Sequence, residues 1–326
     1  MTLPTARLGT TDMRITRVGF GAWAAGGSWA YGWGPQSDEE SIAAIRRAVD
    51  QGVNWIDTAA VYGLGHSEEI VAAALRSVAD RPYVFTKCGM LWDEDGNVSR
   101  VARPETIRRE VEESLRRLRV ERIDLYQVHH PPDDGTPIAM YWETMAELRR
   151  EGKVRAIGLS NHSALRLGQA EQIAHVDTLQ PAFSLIDRTA APEIDWCVRH
   201  DAGVIVYSPM QSGLLTGAFS RERVAALPED DWRRRSPDFT SDLEANLALA
   251  DALRPVAERH GVSQAAVAVA WTLTWPGVTG AIVGARNADQ VDSWLPAATL
   301  ELTREDLDEI TAALERTCAG RGPIRP

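Results

Sequence analysis

The chain has 326 residues, 35 basic against 46 acidic side chains for a formal net charge of −11, and 44% hydrophobic and 25% charged content. That composition suits a cytoplasmic globular protein with a large core, excludes a disordered or fibrous chain, and makes nucleic acid a poor partner. Three scattered cysteines (Cys88, Cys197, Cys318) fit neither a disulfide framework nor a metal site, no apolar run nears the roughly 18 residues of a membrane helix, and the opening MTLPTARLGT does not read as a secretory leader.

The first segment, ARLGTTDMRITRVGFG, reads as a β-hairpin turning at Thr11–Asp12 and running into a strand at 17–21. Further strands are expected at 54–57, 83–87, 124–129, 154–160, 178–181, 203–208 and 280–284. Amphipathic helices are expected at 37–50, 67–78, 104–118, 138–150 and 191–199, with Ser37 and Ser67 as opening caps and Gly52 and Gly152 as stops. From Asp242 the pattern gives two helices split by HGVS at 260–263, then a last helix from near Thr303. Eight strands, each followed by a helix, predict an α/β fold: one (β/α)8 TIM barrel over 1–326, with the N-terminal hairpin as a plug and extra C-terminal helices. The long connection at 210–241 reads as a functional lid or a disordered segment, and its Arg233–Arg235 as a solvated charge run or, alternatively, a contact for cofactor phosphate.

Gly19-Phe-Gly-Ala-Trp-Ala24 matches a loose dinucleotide fingerprint, but that motif must open a helix, and the Gly- and Trp-rich continuation to Gly34 cannot be helical. More telling, polar residues stand at the ends of successive predicted strands: Asp57, Lys87, His129, Ser160-Asn161, Gln180, Tyr207-Ser208 and Gly284-Ala-Arg286. In a barrel these ends meet at one rim, where such folds build their sites. Composition sharpens one of them. Of the 35 basic residues 33 are arginine, so Lys87 and Lys153 are the two places where arginine was not used.

Together Asp57, Tyr62, Lys87 and His129 form a proton-handling set: the ammonium lowers the phenol's pKa, the carboxylate holds the ammonium, and a neutral imidazole orients a carbonyl. Such a set has no nucleophile and no metal, so it needs a hydride from a nicotinamide cofactor. Tyr207 suits stacking on a planar ring, and Gly213-Leu214-Leu-Thr-Gly217 suits a phosphate. Arg286, with the helix start running to Gln290, suits the 2′-phosphate of NADP, or else a bland helix cap. Trp23, Trp29, Tyr31, Trp33 and Trp92 cluster in rim loops as walls for a sugar, polyol or aromatic aldehyde, or alternatively as an oligomer contact. Cys88 reads as a packed thiol and Lys153 as structural.

The ordered motifs Gly52-Val-Asn-Trp-Ile-Asp57-Thr-Ala-Ala-Val-Tyr62-Gly, Thr86-Lys87, Asp124-Leu-Tyr-Gln-Val-His129, Gly158-Leu-Ser-Asn161, Gln180-Pro181, Tyr207-Ser-Pro209 and Gly284-Ala-Arg286 resemble the aldo-keto reductase family across nearly the whole chain. The resemblance implies an NADP(H)-dependent oxidoreductase, with NAD(H) possible, acting on an aldehyde, ketone, sugar or polyol. It implies a tetrad of Asp57, Tyr62, Lys87 and His129 with Tyr62 as proton donor. Ser160, Asn161 and Gln180 would hold the carboxamide and Tyr207 would stack on the ring. Further cofactor contacts are expected from Gly21, Ala22, Trp23, Asp57, Ser208, Met210, Ser212, Leu214, Gly217, Gly284, Arg286 and Gln290. Substrate is expected against Trp23, Trp29, Trp33, Tyr62, Trp92, His129 and His130. Two positions depart from the family pattern: Gln290 is followed by Val-Asp-Ser293-Trp294 rather than a Glu-Asn pair, and His130 stands where Trp is frequent. Two other readings stay open, a cofactor-holding regulatory protein similar to channel β-subunits and a barrel lyase with Lys87 as Schiff-base former.

Overall fold

The computed structural model describes residues 3–29 and 31–325. An antiparallel hairpin of β1 (Thr5–Arg7) and β2 (Arg14–Thr16) leads into the first barrel strand, β3 (Val18–Gly21). β4 (Trp55–Asp57) and β5 (Tyr83–Cys88) follow, and then a second hairpin of β6 (Met90–Trp92) and β7 (Val98–Arg100). The barrel continues with β8 (Ile123–Val128), β9 (Val154–Ser160), β10 (Thr178–Gln180), β11 (Gly203–Val206) and β12 (Val278–Gly284). Its eight strands pair in parallel, and β12 closes onto β3. The expected (β/α)8 architecture and its N-terminal hairpin are both present.

Strand alternation decides where the site can be. Side chains two apart on a strand share a face, so one inward-facing row runs up each stave. Trp55 is followed by Asp57, Phe85 by Lys87, Leu125 by Gln127, Ile205 by Tyr207. The lower members form one apolar cluster with Leu8, Met13 and Ile15, the three buried side chains that the N-terminal segment inserts from below. Trp55 fills the middle of this plug, and its Nε1 donates to the Thr16 carbonyl at 2.8 Å. Gly19 makes room for it, since a Cβ there would lie 2.1 Å from the indole. The hairpin therefore closes the bottom, and only the upper rim is open for a site.

Helices clothe the outside. Ser37 caps Asp38–Asp50 by accepting from the Glu40 amide, ahead of an acidic first turn that suits the helix dipole. Ser67 does not cap as expected: its helix, His66–Leu75, starts behind Gly65, and the buried Ser67 hydroxyl instead donates to the Ala22 carbonyl. The segment from Asp242 holds three helices, Leu243–Ala252, Arg254–His260 and Gln264–Thr274, because Pro255 lacks the amide hydrogen needed to run the first two together. The 210–241 connection carries short helical turns at Gln211–Thr216, Arg221–Ala225, Trp232–Arg235 and Pro237–Phe239, joined by irregular stretches. No described helix is long and apolar enough to cross a membrane.

Candidate active site

Lys87 stands at the top of β5 with its side chain wholly shielded from solvent. Its ammonium donates to Asp57 Oδ2 at 2.5 Å, to the Thr58 carbonyl at 2.9 Å and to the Tyr62 hydroxyl at 3.3 Å. The other Asp57 oxygen accepts from Gln180 Nε2 at 2.8 Å, so β4, β5 and β10 are joined across the barrel mouth. Burial pushes the Lys87 pKa down and the Asp57 pKa up, and their mutual attraction opposes both shifts. All three protons of the ammonium are spoken for, so there is no free amine for a Schiff base.

Tyr62 comes from a tight turn, Tyr62–Gly65, docked on the turn Ala24–Gly26 after β3. The approach is close enough that a Cβ on Gly63, whose φ is +60°, would lie 2.1 Å from the Gly26 carbonyl oxygen. That contact aims the phenol at Lys87. The ring of His129 crosses the Tyr62 ring edge-on at 5.6 Å and 75°. Neither ring nitrogen of His129 bonds a protein group among the described residues, and burial, reinforced by Lys87, holds its pKa well below 6.5. The imidazole is thus neutral at pH 7 with nitrogens available to a ligand. The expectation that Lys87 lowers the Tyr62 pKa does not hold in this structure. Burial and the Asp57 charge push it well above 10, which keeps the phenol protonated.

A cavity of about 1460 Å³ opens above this cluster and runs along the rim. Tyr62, His129, His130, Asp57, Gln180, Ser160 and Asn161 line it, as do Gly21, Trp23, Trp29 and Trp33. On the β11–β12 side Tyr207, Ser208, Met210, Ser212, Gly284, Arg286 and Gln290 continue the wall. Asn161 is held on both sides, its Nδ2 donating to the His129 carbonyl at 3.0 Å and its Oδ1 accepting from the Tyr207 hydroxyl at 2.8 Å. Burial pushes the Tyr207 pKa up to about 12, so that hydroxyl stays a donor.

The groove has the features an elongated, multiply anionic ligand needs. Ser208, Gln211, Ser212 and Gly213 all take positive φ, which folds the backbone into a tight concave turn. Arg223, Arg233 and Arg286 line the same side. A Cβ on Gly284 would meet only the Gly21 carbonyl, at 3.6 Å, so any side chain there would occupy the groove itself.

The aldo/keto reductase family model matches residues 17–315. The chain belongs to that family. Aldo-keto reductase YhdN of Bacillus subtilis (strain 168) is 36% identical over 321 residues, covering 97% of this chain and 94% of that protein. An NADH-specific methylglyoxal reductase of Escherichia coli (strain K12) is 35% identical over 332 residues, covering 95% and 98%. Among solved structures, the glycerol dehydrogenase AKR11B4 from Gluconobacter oxydans superposes with a TM-score of 0.89 at 39% identity, covering 98% of this chain and 97% of that one. Aldo-keto reductases use nicotinamide cofactors. Two of these relatives are named for turnover of a small oxygenated compound.

Several expected contacts lie elsewhere. Trp92 does not reach the cavity; it packs with Trp29 and Val98 against Ala59, Val61 and Met90. Ala22 is buried and gives its amide to the Asp57 carbonyl, Leu214 is fully buried, and Gly217 packs on Gln264, so none of the three lines the groove. The helix start after β12 is not a free amide cradle, because Asn287 Oδ1 accepts from the Gln290 amide and Gln290 Oε1 from the Arg286 amide. Arg233 is no solvated charge: it is buried, bonded to Asp231, and lies 4.9 Å over the Trp33 ring, while Arg234 and Arg235 are exposed. Lys153 pairs with Glu112 on the outside of the barrel.

Sequence reasoning missed the second hairpin and its wall residues Met90, Val98 and Arg100. The signal was there, since Asp95-Gly96 between short apolar runs marks a hairpin turn. It also missed Trp232, which lies 6.4 Å from Trp23 and brings the long connection against the loop after β3.

Proposed function

We propose that this protein is a carbonyl reductase and alcohol dehydrogenase of the cytoplasm, using NADP(H) with NAD(H) as a second cofactor, on small hydroxylated or dicarbonyl compounds. The observation that carries the reading is the Lys87 ammonium, which bonds both Asp57 and the Tyr62 hydroxyl beneath an open groove. Substrates of about three carbons are favoured by the relatives named for methylglyoxal and glycerol, and the pocket lining combines tryptophans with the polar His130, Asp133 and Arg100. Arg286 supports the phosphorylated cofactor.

The bound cofactor supplies the hydride. Each side chain then has a definite task. Tyr62 gives its proton to the carbonyl oxygen as that oxygen becomes a hydroxyl, and it takes one back in the oxidative direction. Lys87 stabilises the phenolate left behind, an effect strengthened by the water-excluded setting. Asp57 keeps Lys87 charged and aimed, and Gln180 keeps Asp57 in place. Neutral His129 donates a hydrogen bond to the carbonyl oxygen and so sets its angle to Tyr62. Asn161 and Ser160 have polar atoms at the groove wall that suit a carboxamide, and Tyr207 offers an aromatic face to a planar ring.

Tyr62→Phe tests the assignment. Turnover with methylglyoxal or glyceraldehyde should fall about 10²- to 10⁴-fold, the range for loss of a positioned general acid, while cofactor binding stays within about twofold. A variant that keeps wild-type kcat removes Tyr62 from the mechanism.

A further inference from the structure

We propose that Gln36 is a positioning residue for the nucleotide, holding Arg286 as a preset receptor for a phosphate monoester and thereby setting the choice between phosphorylated and unphosphorylated cofactor. The inference rests on the nicotinamide-nucleotide reading above.

Arg286 Nε donates to Gln36 Oε1 at 2.7 Å and Nη2 to the Pro35 carbonyl at 2.6 Å. Gln36 Nε2 donates back to the Arg286 carbonyl at 2.7 Å, so the two residues clasp each other. Nε and Nη2 form one edge of the guanidinium fork. With that edge filled, Nη1 and the second hydrogen of Nη2 have no partner among the described residues, and the side chain lines the groove. Both acceptors are neutral oxygens. The nearby Arg47 is bonded to a carboxylate, that of Asp292, whereas no carboxylate pairs with Arg286 among the described residues.

A guanidinium held by neutral acceptors keeps its full charge, and its open edge matches the spacing of two phosphate oxygens. A free arginine must be immobilised when it binds such an anion, at a cost that subtracts from affinity. The Gln36 clasp has already immobilised this one. The residue should therefore raise affinity for a nucleotide bearing an extra monoester phosphate and leave the unphosphorylated form nearly indifferent. Replacing it by glutamate keeps an acceptor of the same length for Nε but sets a negative charge beside the phosphate-binding cation, so the two substitutions separate positioning from mere loop packing.

The experiment is equilibrium titration of wild type, Gln36→Ala and Gln36→Glu with NADP+, NAD+ and the fragment 2′,5′-ADP. Gln36→Ala should weaken NADP+ and 2′,5′-ADP about tenfold, and Gln36→Glu by about 30-fold or more, with NAD+ within about twofold in both. Unchanged NADP+ affinity in both variants, or NAD+ falling in step with NADP+, overturns the proposal. A wild-type protein that binds neither dinucleotide overturns instead the cofactor reading on which it rests.

Discussion

The lower and upper halves of the barrel interior are built from the same strands and the same alternation, yet they do opposite things. Below, Trp55, Phe85, Leu125 and Ile205 meet the N-terminal plug in an apolar cluster whose worth is buried area. Two residues higher, Asp57, Lys87, Gln127 and Tyr207 put charge and hydrogen-bonding groups at the floor of the open groove, the first three buried and Tyr207 half-buried. Burial stabilises the first set and disfavours the second, whose charged pair persists because Lys87, Asp57 and Gln180 satisfy one another across β4, β5 and β10, while Tyr207 bonds Asn161 and Gln127 Nε2 has no partner among the described residues. A two-residue step along each strand thus separates the part that holds the fold from the part that handles the proton.

The sharpest way to break this contrast is Asp57→Asn. It strands the Lys87 ammonium without a counter-charge, so denaturant unfolding should show a loss of about 3–5 kcal/mol, together with loss of turnover. Adding Lys87→Met should recover most of the stability and none of the activity. If the double variant stays as unstable as the single one, the pair is not the source of the cost. Ile15→Ala in the plug should lower stability by about 2–5 kcal/mol in the same assay with kcat/KM unchanged, because the cavity it leaves lies in the lower half. A matching fall in kcat/KM would show the two halves to be coupled.

A milder test uses pH. Reduction needs Tyr62 protonated and His129 neutral. The first holds until pH passes the raised phenol pKa above 10, and the second fails only below the lowered imidazole pKa, under 6.5. Reductive kcat/KM should therefore be flat between pH 6.5 and 10, with its alkaline limb displaced well above 10 and its acid limb well below 6.5. A descending limb already between pH 7 and 9 would mean that Lys87 outweighs burial once ligands are bound. The smallest effect belongs to the other lysine: Lys153→Met removes a partly exposed pair with Glu112 and should shift stability by less than about 1 kcal/mol.

Much of the site was legible because a barrel gathers strand ends at one rim. Asp57, Lys87, His129, Gln180 and Tyr207 could be picked out from strand position alone, and the scarcity of lysine singled out Lys87. Arg233 could not be read this way. Three successive arginines look solvated until Asp231 and the Trp33 face are found around the first of them. Trp92 misleads for the reverse reason: an aromatic beside a strand end reads as a pocket wall, but the hairpin β6–β7 turns it onto Ala59 and Val61.

The amino-acid order by itself determined the alternation of strand and helix, the apolar-then-polar row along each stave, and the identity of the groups meeting at the mouth, because these depend on periods of 2 and 3.6 residues that local chemistry sets. Only the closed barrel decided how dry the Tyr62 phenol is, which edge of the Arg286 fork Gln36 occupies across 250 positions of chain, and which charges are spent on neighbours. Those are properties of distance and burial, and they exist only once remote segments are packed together.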